Sequence, residues 1–183
     1  MLPLISIILY AIAGAMAFYF FSGMIWGVGY TPTAYEEIDR AAELLELKKG
    51  DTIYDLGCGY GRVIFRLAQK YGASCVGVEA DPIKCWWIRR MIKRKKLEGK
   101  VRLIQSNLLN VDLKDVDYMF IFLTRLTSIM NKLQEKVLRE MKTGARIVSY
   151  VHRFDDWNYG KNLGELYLYT IPSRNELSRT QEQ

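Results

Sequence analysis

The sequence has no charged residue before Glu36. The first 35 residues contain no Asp, Glu, Lys or Arg, whereas the rest of the chain holds all 26 Lys and Arg and all 20 Asp and Glu. A second long apolar run is also absent, which excludes a multi-pass membrane protein. The 183 residues leave room for one ordinary domain after this uncharged leader. The leader itself excludes a plain soluble protein.

Residues that bind metals or form disulfides are scarce. His152 is the only histidine, and the three cysteines form no Cys-x-x-Cys pair. An odd number of cysteines argues against a disulfide framework, and a single histidine argues against a structural zinc site. We therefore expect no metal site and a reducing compartment.

The apolar leader predicts a membrane anchor. A helix over residues 2–28 would be about 40 Å long, more than the roughly 30 Å of hydrocarbon in a bilayer. A cleaved signal peptide is the alternative, because residues 15–17 read Ala-Met-Ala, as at a cleavage site. However, no basic segment precedes the apolar run, and the run continues past that site. We expect residues 1–29 to form one N-terminal transmembrane helix.

The orientation of this anchor follows from the basic residues beside it. No Lys or Arg precedes the segment, whereas Arg40, Lys48 and Lys49 follow it. The positive-inside rule then places the following domain in the cytoplasm. The sequence predicts a single-pass protein of the cell membrane with a cytoplasmic catalytic domain over residues 30–183.

Strand and helix patterns alternate from residue 33 to residue 171. Thr33 and Glu36 form a capping box, which predicts a helix that begins at Thr33. The alternation predicts an α/β fold, with a Rossmann-like, open, mostly parallel sheet and helices on both faces. We expect Asp81 to cap a helix. The predicted strands cover residues 52–56, 74–79, 101–105, 118–123, 145–151 and 165–171.

The most informative segment is a glycine-rich turn between the first strand and the next helix, with the sequence DLGCGYGR at residues 55–62. Ligands of open α/β sheets bind beyond the carboxyl ends of the strands. Gly61 is followed by Arg62 and Val63 rather than by Lys and Ser or Thr, which disfavours a P-loop. Asp55 would repel a pyrophosphate and would suit a ligand with an ammonium group.

A second carboxylate restricts the ligand further. Glu79 ends the second predicted strand, where an acid accepts hydrogen bonds from both hydroxyls of a ribose. A ligand that has a ribose and an ammonium group but no phosphate is S-adenosyl-L-methionine. The cofactor-binding residues expected from this reasoning are Asp55, Gly57, Cys58, Gly59, Gly61 and Glu79.

Residues 55–61 resemble the D/E-x-G-x-G-x-G motif of the class I, seven-strand S-adenosylmethionine-dependent methyltransferases. The resemblance implies that Asn107, just after the third strand, meets the adenine. More narrowly, the chain is similar to archaeal protein-lysine methyltransferases and their membrane-anchored mitochondrial relatives. It departs from them at Tyr60, which replaces an acidic residue, and at Arg125, where Asn is common. The likeness depends on residues 30–33 (YTPT), 55–62, 122–124 (FLT), 149–154 (SYVHRF) and Trp157.

This narrower resemblance implies methylation of lysine side chains of membrane or membrane-proximal proteins. A lysine must lose its proton before it attacks, and an apolar channel lowers the pKa of an amine. No Asn-Pro-Pro-Tyr or Asp-Pro-Pro-Tyr motif follows the fourth strand, which argues against methylation of amides or adenine amino groups. His152 is left open as either a structural or a site-lining residue. The residues expected along the channel are Tyr30, Thr124, His152, Phe154 and Trp157.

Two other functions stay open because residues 84–102 contain nine basic residues and a single acid, Glu98. Such a stretch is usually a solvated helix face, but it also suits an RNA methyltransferase that binds phosphates. The other alternative is a non-catalytic, membrane-anchored cofactor-binding scaffold. The apolar leader favours a membrane-associated protein substrate over nucleic acid. Within the basic stretch, Trp86 and Trp87 are expected to pack, at least one of them against the adenine side or a neighbouring helix.

Overall fold

A computed structural model describes residues 2–25, 32–123, 127–155 and 157–173. Its helices are α1 (Leu2–Ile25), α2 (Tyr35–Leu45), α3 (Arg62–Lys70), α4 (Pro82–Arg94) and α5 (Thr127–Glu140). Its strands are β1 (Thr52–Leu56), β2 (Ser74–Glu79), β3 (Val101–Gln105), β4 (Tyr118–Ile121), β5 (Arg146–Tyr150), β6 (Lys161–Leu163) and β7 (Leu166–Thr170).

The strands form one seven-stranded sheet in the order β3-β2-β1-β4-β5-β7-β6. Strands β1 to β5 pair in parallel, whereas β7 is antiparallel to both β5 and β6. The predicted Rossmann-like, mostly parallel sheet is therefore confirmed. Because β1 to β5 run in one direction, their carboxyl ends share one edge, and the strand order reverses between β1 and β4.

Helices cover both faces of this sheet. Ile38, Ile64 and Ile88, from α2, α3 and α4, are fully buried in one hydrophobic core. Leu133 of α5 and Ile147 of β5 are fully buried in a second core. Burial of each such side chain stabilises the fold by about 1.5–3 kcal/mol.

An ion-pair cluster fixes α2 against α3. Asp39 accepts hydrogen bonds from Nε and Nη2 of Arg66 at 3.0 and 2.8 Å, and Lys70 Nζ donates a third at 2.8 Å. The two-pronged bond of an arginine to a carboxylate sets orientation as well as distance. Helix α2 is thereby held at a defined place beside α3.

Two elements differ from the prediction made from the sequence. Helix α2 begins at Tyr35 with Ala34 as its N-cap, so the predicted start at Thr33 is wrong. Thr33 is buried and makes no capping hydrogen bond, which shows that tertiary packing has displaced the local capping signal. Strand β6 was missed because all three of its residues are exposed and none of the usual apolar alternation marks it.

Helix α1 is continuous and apolar. Its side chains from Leu4 to Phe18 are all exposed, including large ones such as Ile7 and Tyr10. Within residues 2–25 and the other described ranges, no helix reaches the length and apolar character required to cross a membrane. A helix therefore covers residues 2–25 of the segment predicted over 1–29, and its transmembrane character is not confirmed.

We expect Tyr169→Phe to lower the free energy of unfolding by about 1–3 kcal/mol. The Tyr169 side chain is fully buried, and its hydroxyl accepts a hydrogen bond from the backbone N–H of Phe154 at 3.1 Å. The substitution leaves that buried N–H without an acceptor. Urea unfolding at a fixed detergent concentration measures the loss.

Tyr167→Phe is the matched control, because Tyr167 lies on the same strand and is only half-buried. Its hydroxyl has no hydrogen bond to any described residue, so we expect a change within about 0.5 kcal/mol. Equal losses in the two variants would show that the Tyr169 hydroxyl contributes nothing specific.

Candidate active site

The glycine turn predicted between the first strand and the next helix has a left-handed backbone at its three glycines. Gly57, Gly59 and Gly61 have φ values of 82°, 57° and 79°, in the left-handed region that side chains disfavour. The N–H groups of Gly57 and Cys58 both donate to the carbonyl of Val78, at 2.8 and 2.9 Å. These hydrogen bonds therefore hold the turn against β2. Because glycine has no side chain, the backbone of the turn is not covered at these three positions.

The space around the turn is narrow. A Cβ atom on Gly57 would lie 3.1 Å from Cδ2 of Leu123, which follows β4, and one on Gly61 would lie 2.8 Å from Cε2 of Phe65. Leu123 thus places the end of β4 directly beside the turn. This is the crevice where ligands of open α/β sheets bind, because the strand order reverses there.

Glu79 links β2 to the glycine turn. Its Oε2 accepts a hydrogen bond from the Gly59 N–H at 2.9 Å, and its Oε1 accepts from the N–H groups of Ala80 and Asp81 at 3.0 and 2.9 Å. A carboxylate has about four acceptor positions, so about one remains. Glu79 has room for one ribose hydroxyl, and a bond to both hydroxyls would have to share acceptor positions with the backbone.

Asp55 lies behind the turn and is only 4 % exposed. Its Oδ2 has no hydrogen-bond partner among the described residues. Burial, with a smaller contribution from the negative charge of Glu79, raises the pKa of Asp55 to about 8. A buried polar atom without a partner is costly, and an ammonium group would both satisfy it and lower this pKa. The residues present therefore fit S-adenosylmethionine.

Cys58 contributes only its main chain to this turn. Its Sγ lies 2.8 Å from the position that a Cβ on Gly77 would occupy, so the side chain packs against β2. Burial, with the nearby charges of Asp55 and Glu79, raises the pKa of this thiol well above its ordinary value. A thiol in such surroundings is unreactive.

The two polar residues that follow β2 and β3 both cap short-range structure. Asp81 accepts a hydrogen bond from the Ile83 N–H at 2.8 Å and caps α4, as predicted. Asn107 accepts one from the Leu109 N–H at 3.0 Å and caps a 3₁₀ turn over Leu108–Asn110. Asn107 is exposed at the carboxyl end of β3, and its contact with adenine stays a prediction.

Trp86 does not pack as expected, whereas Trp87 packs only in part. Trp86 is 60 % exposed and Trp87 is 41 % exposed, since both lie on the outer side of α4. Trp87 makes one edge contact with Tyr60 of the glycine turn, with ring centroids 6.5 Å apart. Trp86 makes no ring contact with any described residue.

The residues predicted for the target channel have mixed positions. Tyr30 and Thr124 lie outside the described residues. Phe154 is only 4 % exposed and stacks on Trp157 with ring centroids 5.2 Å apart, within the second core. His152 is half-buried just beyond β5. The structure gives Phe154 and Trp157 a packing role, and their part in a channel stays a prediction.

A strained turn positions His152. Val151 has φ 69°, a value that β-branched residues rarely adopt and that costs about 1–3 kcal/mol. The Val151 N–H donates to the Glu165 carbonyl at 2.8 Å, and the His152 N–H donates to the Tyr150 carbonyl at 2.9 Å. Backbone strain is thereby held at the same edge of the sheet as the cofactor residues.

Two aromatic residues that were not among the expected site residues also lie at this edge. Phe122 follows β4 and Tyr150 ends β5, and their ring centroids are 4.8 Å apart. Burial and the negative charges of Glu37 and Glu165 raise the pKa of Tyr150, so its phenol stays protonated at neutral pH. Their positions at the ends of predicted parallel strands were the signal that would have identified them. Aromatic rings beside carboxylates suit a cationic side chain.

Sequence comparisons agree with this geometry. A family model described as the ANTKMT methyltransferase domain matches residues 55–161. The chain is 30% identical over 132 residues to a protein-lysine N-methyltransferase of Saccharolobus islandicus, covering 72% of this chain and 81% of that protein. It is 26% identical over 136 residues to the human lysine N-methyltransferase of the ATP synthase C-subunit, covering 74% of this chain and 57% of that protein.

Structure comparisons identify the same fold. A Salinibacter ruber RNA methyltransferase in complex with S-adenosyl-L-homocysteine is similar with a TM-score of 0.73 and 29% identity, over 79% of this chain and 95% of that chain. A Thiobacillus denitrificans SAM-dependent methyltransferase in the same kind of complex has a TM-score of 0.53 and 17% identity, over 66% of this chain and 50% of that chain. At that identity, the second likeness shows the fold alone.

We expect Glu79→Ala to weaken binding of S-adenosyl-L-homocysteine by about 10- to 150-fold, which corresponds to the roughly 1.5–3 kcal/mol of a hydrogen bond to a charged group. Calorimetry measures the affinity. Glu98→Ala is the matched control, because Glu98 is exposed on the loop after α4. That variant should bind like the wild type.

A 2′-deoxy analogue of the ligand separates the ribose contact from damage to the turn. The wild type should bind the analogue more weakly than the parent ligand, whereas Glu79→Ala should bind both alike. If the variant still discriminates between the two ligands as the wild type does, Glu79 does not accept from the 2′-hydroxyl.

A pH series tests the burial of Asp55. The pKa of Asp55 is about 8 in the folded protein and about 4 in an unfolded chain. Between these values the folded state keeps a proton that the unfolded state has lost. The free energy of unfolding therefore falls as pH rises from about 4 to 8. Asp55→Asn should show a flatter profile and exceed the wild type in stability at pH 8.

The same variant should bind S-adenosyl-L-homocysteine more weakly, because it lacks the negative charge that faces the ammonium group. Thermal unfolding from pH 5 to pH 8, with calorimetry at pH 8, measures both effects. Asp115→Asn, at an exposed site, is the control and should follow the wild type. A profile of Asp55→Asn that runs parallel to the wild type would contradict the raised pKa.

Proposed function

We propose that this chain, which belongs to the ANTKMT methyltransferase domain family, methylates lysine side chains of proteins at or near a membrane, with S-adenosylmethionine as the methyl donor. The observation that carries the proposal is a buried oxygen of Asp55 that has no partner within the part of the chain that the structure describes, close to Glu79 and the glycine turn. The lysine specificity is supported by the relatives from Saccharolobus islandicus and human, which are lysine N-methyltransferases of proteins and of the ATP synthase C-subunit, respectively.

The chain contributes orientation to this reaction. S-adenosylmethionine supplies a sulfonium methyl group that an in-line nucleophile can accept. Asp55 would hold the ammonium group, and Glu79 would hold a ribose hydroxyl. The left-handed glycines let the backbone approach between them. Two fixed points at opposite parts of the ligand set the direction in which its methyl group faces the crevice.

The target amine must be neutral when it attacks. The rings of Phe122 and Tyr150 give the ends of β4 and β5 an apolar surface, and an apolar environment favours the neutral form of an amine. The charges of Glu37 and Glu165 act on Tyr150 and would attract the protonated lysine as it arrives. These four residues make the strand ends suited to a lysine side chain.

The membrane part of the proposal depends on α1. Large apolar side chains such as Leu4, Ile8 and Phe18 are exposed along it, and contact with lipid would remove them from water. The basic residues Arg40 and Lys48 follow the leader, which supports a cytoplasmic domain at the cell membrane. An anchor of this kind, whether or not it spans the bilayer, confines the domain to targets near the membrane.

RNA methylation is the second candidate. The Salinibacter ruber neighbour is an RNA methyltransferase, and α4 is rich in basic residues. The apolar α1 favours a membrane-associated protein instead. The basic residues of α4 alone do not distinguish between an RNA substrate and a membrane location, because both anionic lipids and RNA carry phosphates.

The decisive experiment incubates the purified full chain with cell membranes and radiolabelled S-adenosylmethionine. We expect the label in protein, on lysines that gain the mass of one CH₂ group per transferred methyl. Asp55→Asn is the control for the cofactor site and should transfer less label, because it binds the cofactor more weakly. A variant without residues 2–25 should methylate a soluble lysine peptide normally but lose most activity on membrane proteins, because tethering raises the local concentration of targets.

Each part of the proposal fails on a different result. Label in RNA or lipid with none on lysine overturns the substrate. Equal methylation of membrane targets with and without residues 2–25 overturns the role of the anchor. Absence of binding to S-adenosyl-L-homocysteine overturns the cofactor site.

A further inference from the structure

Helix α4 exposes a face that its position in the fold does not explain. Trp86 is 60 % exposed, Trp87 is 41 % exposed and Ile83 is 52 % exposed. Tryptophan is usually well covered in a folded domain, so adjacent exposed indoles are unusual. This face carries large apolar side chains in the first half of the helix.

The second half of the same face is basic. Cys85, Ile88 and Ile92 are the buried residues of α4 and lie on one side of it. At 3.6 residues per turn, the opposite side presents a continuous strip, which we name the α4 face. The α4 face consists of Ile83, Trp86, Trp87, Arg90, Lys93 and Arg94.

The positive charge of the α4 face is not neutralised. Helix α4 contains no acidic residue. Among the described residues, Arg90, Lys93 and Arg94 have no ion-pair partner, whereas Lys84, outside the face, lies 3.8 Å from Asp81. Three cations therefore remain available to a negatively charged partner.

We propose that the α4 face docks on a bilayer that contains anionic lipids. Tryptophan favours the membrane–water interface, and each Lys or Arg near an anionic bilayer is attracted to its headgroups. A helix with apolar residues beside basic ones can lie in the plane of that interface. An aliphatic side chain such as Ile83 gains from contact with lipid but offers nothing to a phosphate backbone, and this favours a bilayer over RNA.

Docking through this face would bring the cofactor site to the membrane surface. Helix α4 begins three residues after Glu79, and Trp87 contacts Tyr60 of the glycine turn. The α4 face therefore starts beside the carboxyl edge of the sheet. The inference goes beyond the proposed function, because it assigns an orientation to the domain and does not require α1 to span the bilayer.

A fluorescent label on the α4 face tests the proposal in the full chain. Cys58, Cys75 and Cys85 are all buried, so a new exposed cysteine can be labelled selectively. Trp86→Cys would carry an environment-sensitive nitrobenzoxadiazole group. Lys132→Cys, on α5 at the opposite face of the sheet, is the matched control position. Each protein is mixed with vesicles of phosphatidylcholine alone or of phosphatidylcholine with phosphatidylserine.

We expect the label at position 86 to shift to a bluer, stronger emission with the phosphatidylserine vesicles, and high salt to reverse the shift. The label at position 132 should not change between the two vesicles. Because α1 is present in every sample, its own affinity for lipid cancels from the comparison. Equal emission at position 86 with both vesicle types overturns the proposal.

Charge-neutralising variants measure how much the cations of the α4 face contribute to docking. Arg90→Gln with Lys93→Gln should lower the ratio of docked to undocked protein about 30-fold, at roughly fivefold for each cation. Lys132→Gln with Arg139→Gln removes the same charge from α5 and should leave that ratio unchanged. Retained binding of S-adenosyl-L-homocysteine verifies that each variant is folded. An oligoribonucleotide that shifts the emission at position 86 when anionic vesicles do not would assign the face to RNA and overturn the proposal.

Discussion

The hydrogen bond from the Gly59 N–H to the Glu79 carboxylate is the constraint on which the site depends. It joins the turn after β1 to the end of β2, two segments that are far apart in sequence. The bond requires Gly59 to turn its N–H outward in a left-handed conformation, which glycine adopts without strain. The same bond fixes the carboxylate of Glu79 at the edge of the crevice.

The fixed negative charge of Glu79 disfavours the ionised form of Asp55. This charge acts on Asp55, whose burial already disfavours ionisation, and both effects raise the pKa of Asp55. Asp55 also holds a buried oxygen that has no partner among the described residues. A ligand with an ammonium group would donate a hydrogen bond to this oxygen and stabilise the ionised carboxylate. Part of the affinity for such a ligand therefore comes from removing the cost of burying Asp55. Stability and binding are opposed at this residue, as is common at functional sites.

The sequence predicted those features that depend on local pattern. Strands 52–56, 74–79 and 101–105 agree with β1, β2 and β3, because each is a short run of strand-forming residues bounded by turn residues. The glycine turn after β1 was also predicted from local sequence, because glycines allow a tight backbone there. The predictions that failed are those that depend on tertiary contacts. Trp86 and Trp87 were expected to pack, yet hydrophobicity does not reveal which face of a helix meets the sheet.

The aromatic residues near the ends of β4 and β5 also show that local sequence does not reveal tertiary contacts. Phe154 was expected in a channel, which stays a prediction; its ring stacks on Trp157 and meets Tyr169 edge-on in the core. The residues whose rings meet at the strand ends are Phe122 and Tyr150, from different strands. Their contact depends on the order in which strands pair, and β4 and β5 become neighbours only through the sheet topology. The sequence places each of the two residues at a strand end but does not show that the two strands are neighbours.

An anchor and a docking face would have different physical effects on such an enzyme. A tether through α1 raises the concentration of nearby targets but does not by itself select an orientation of the domain. A surface of cations and indoles on α4 would instead select one orientation, because only that side of the domain is attracted to the headgroups. The glycine turn lies beside the start of α4, so the selected orientation is one in which the crevice opens near the bilayer. Selectivity for membrane-proximal lysines would then arise from placement of the domain, with few contacts to any particular target sequence.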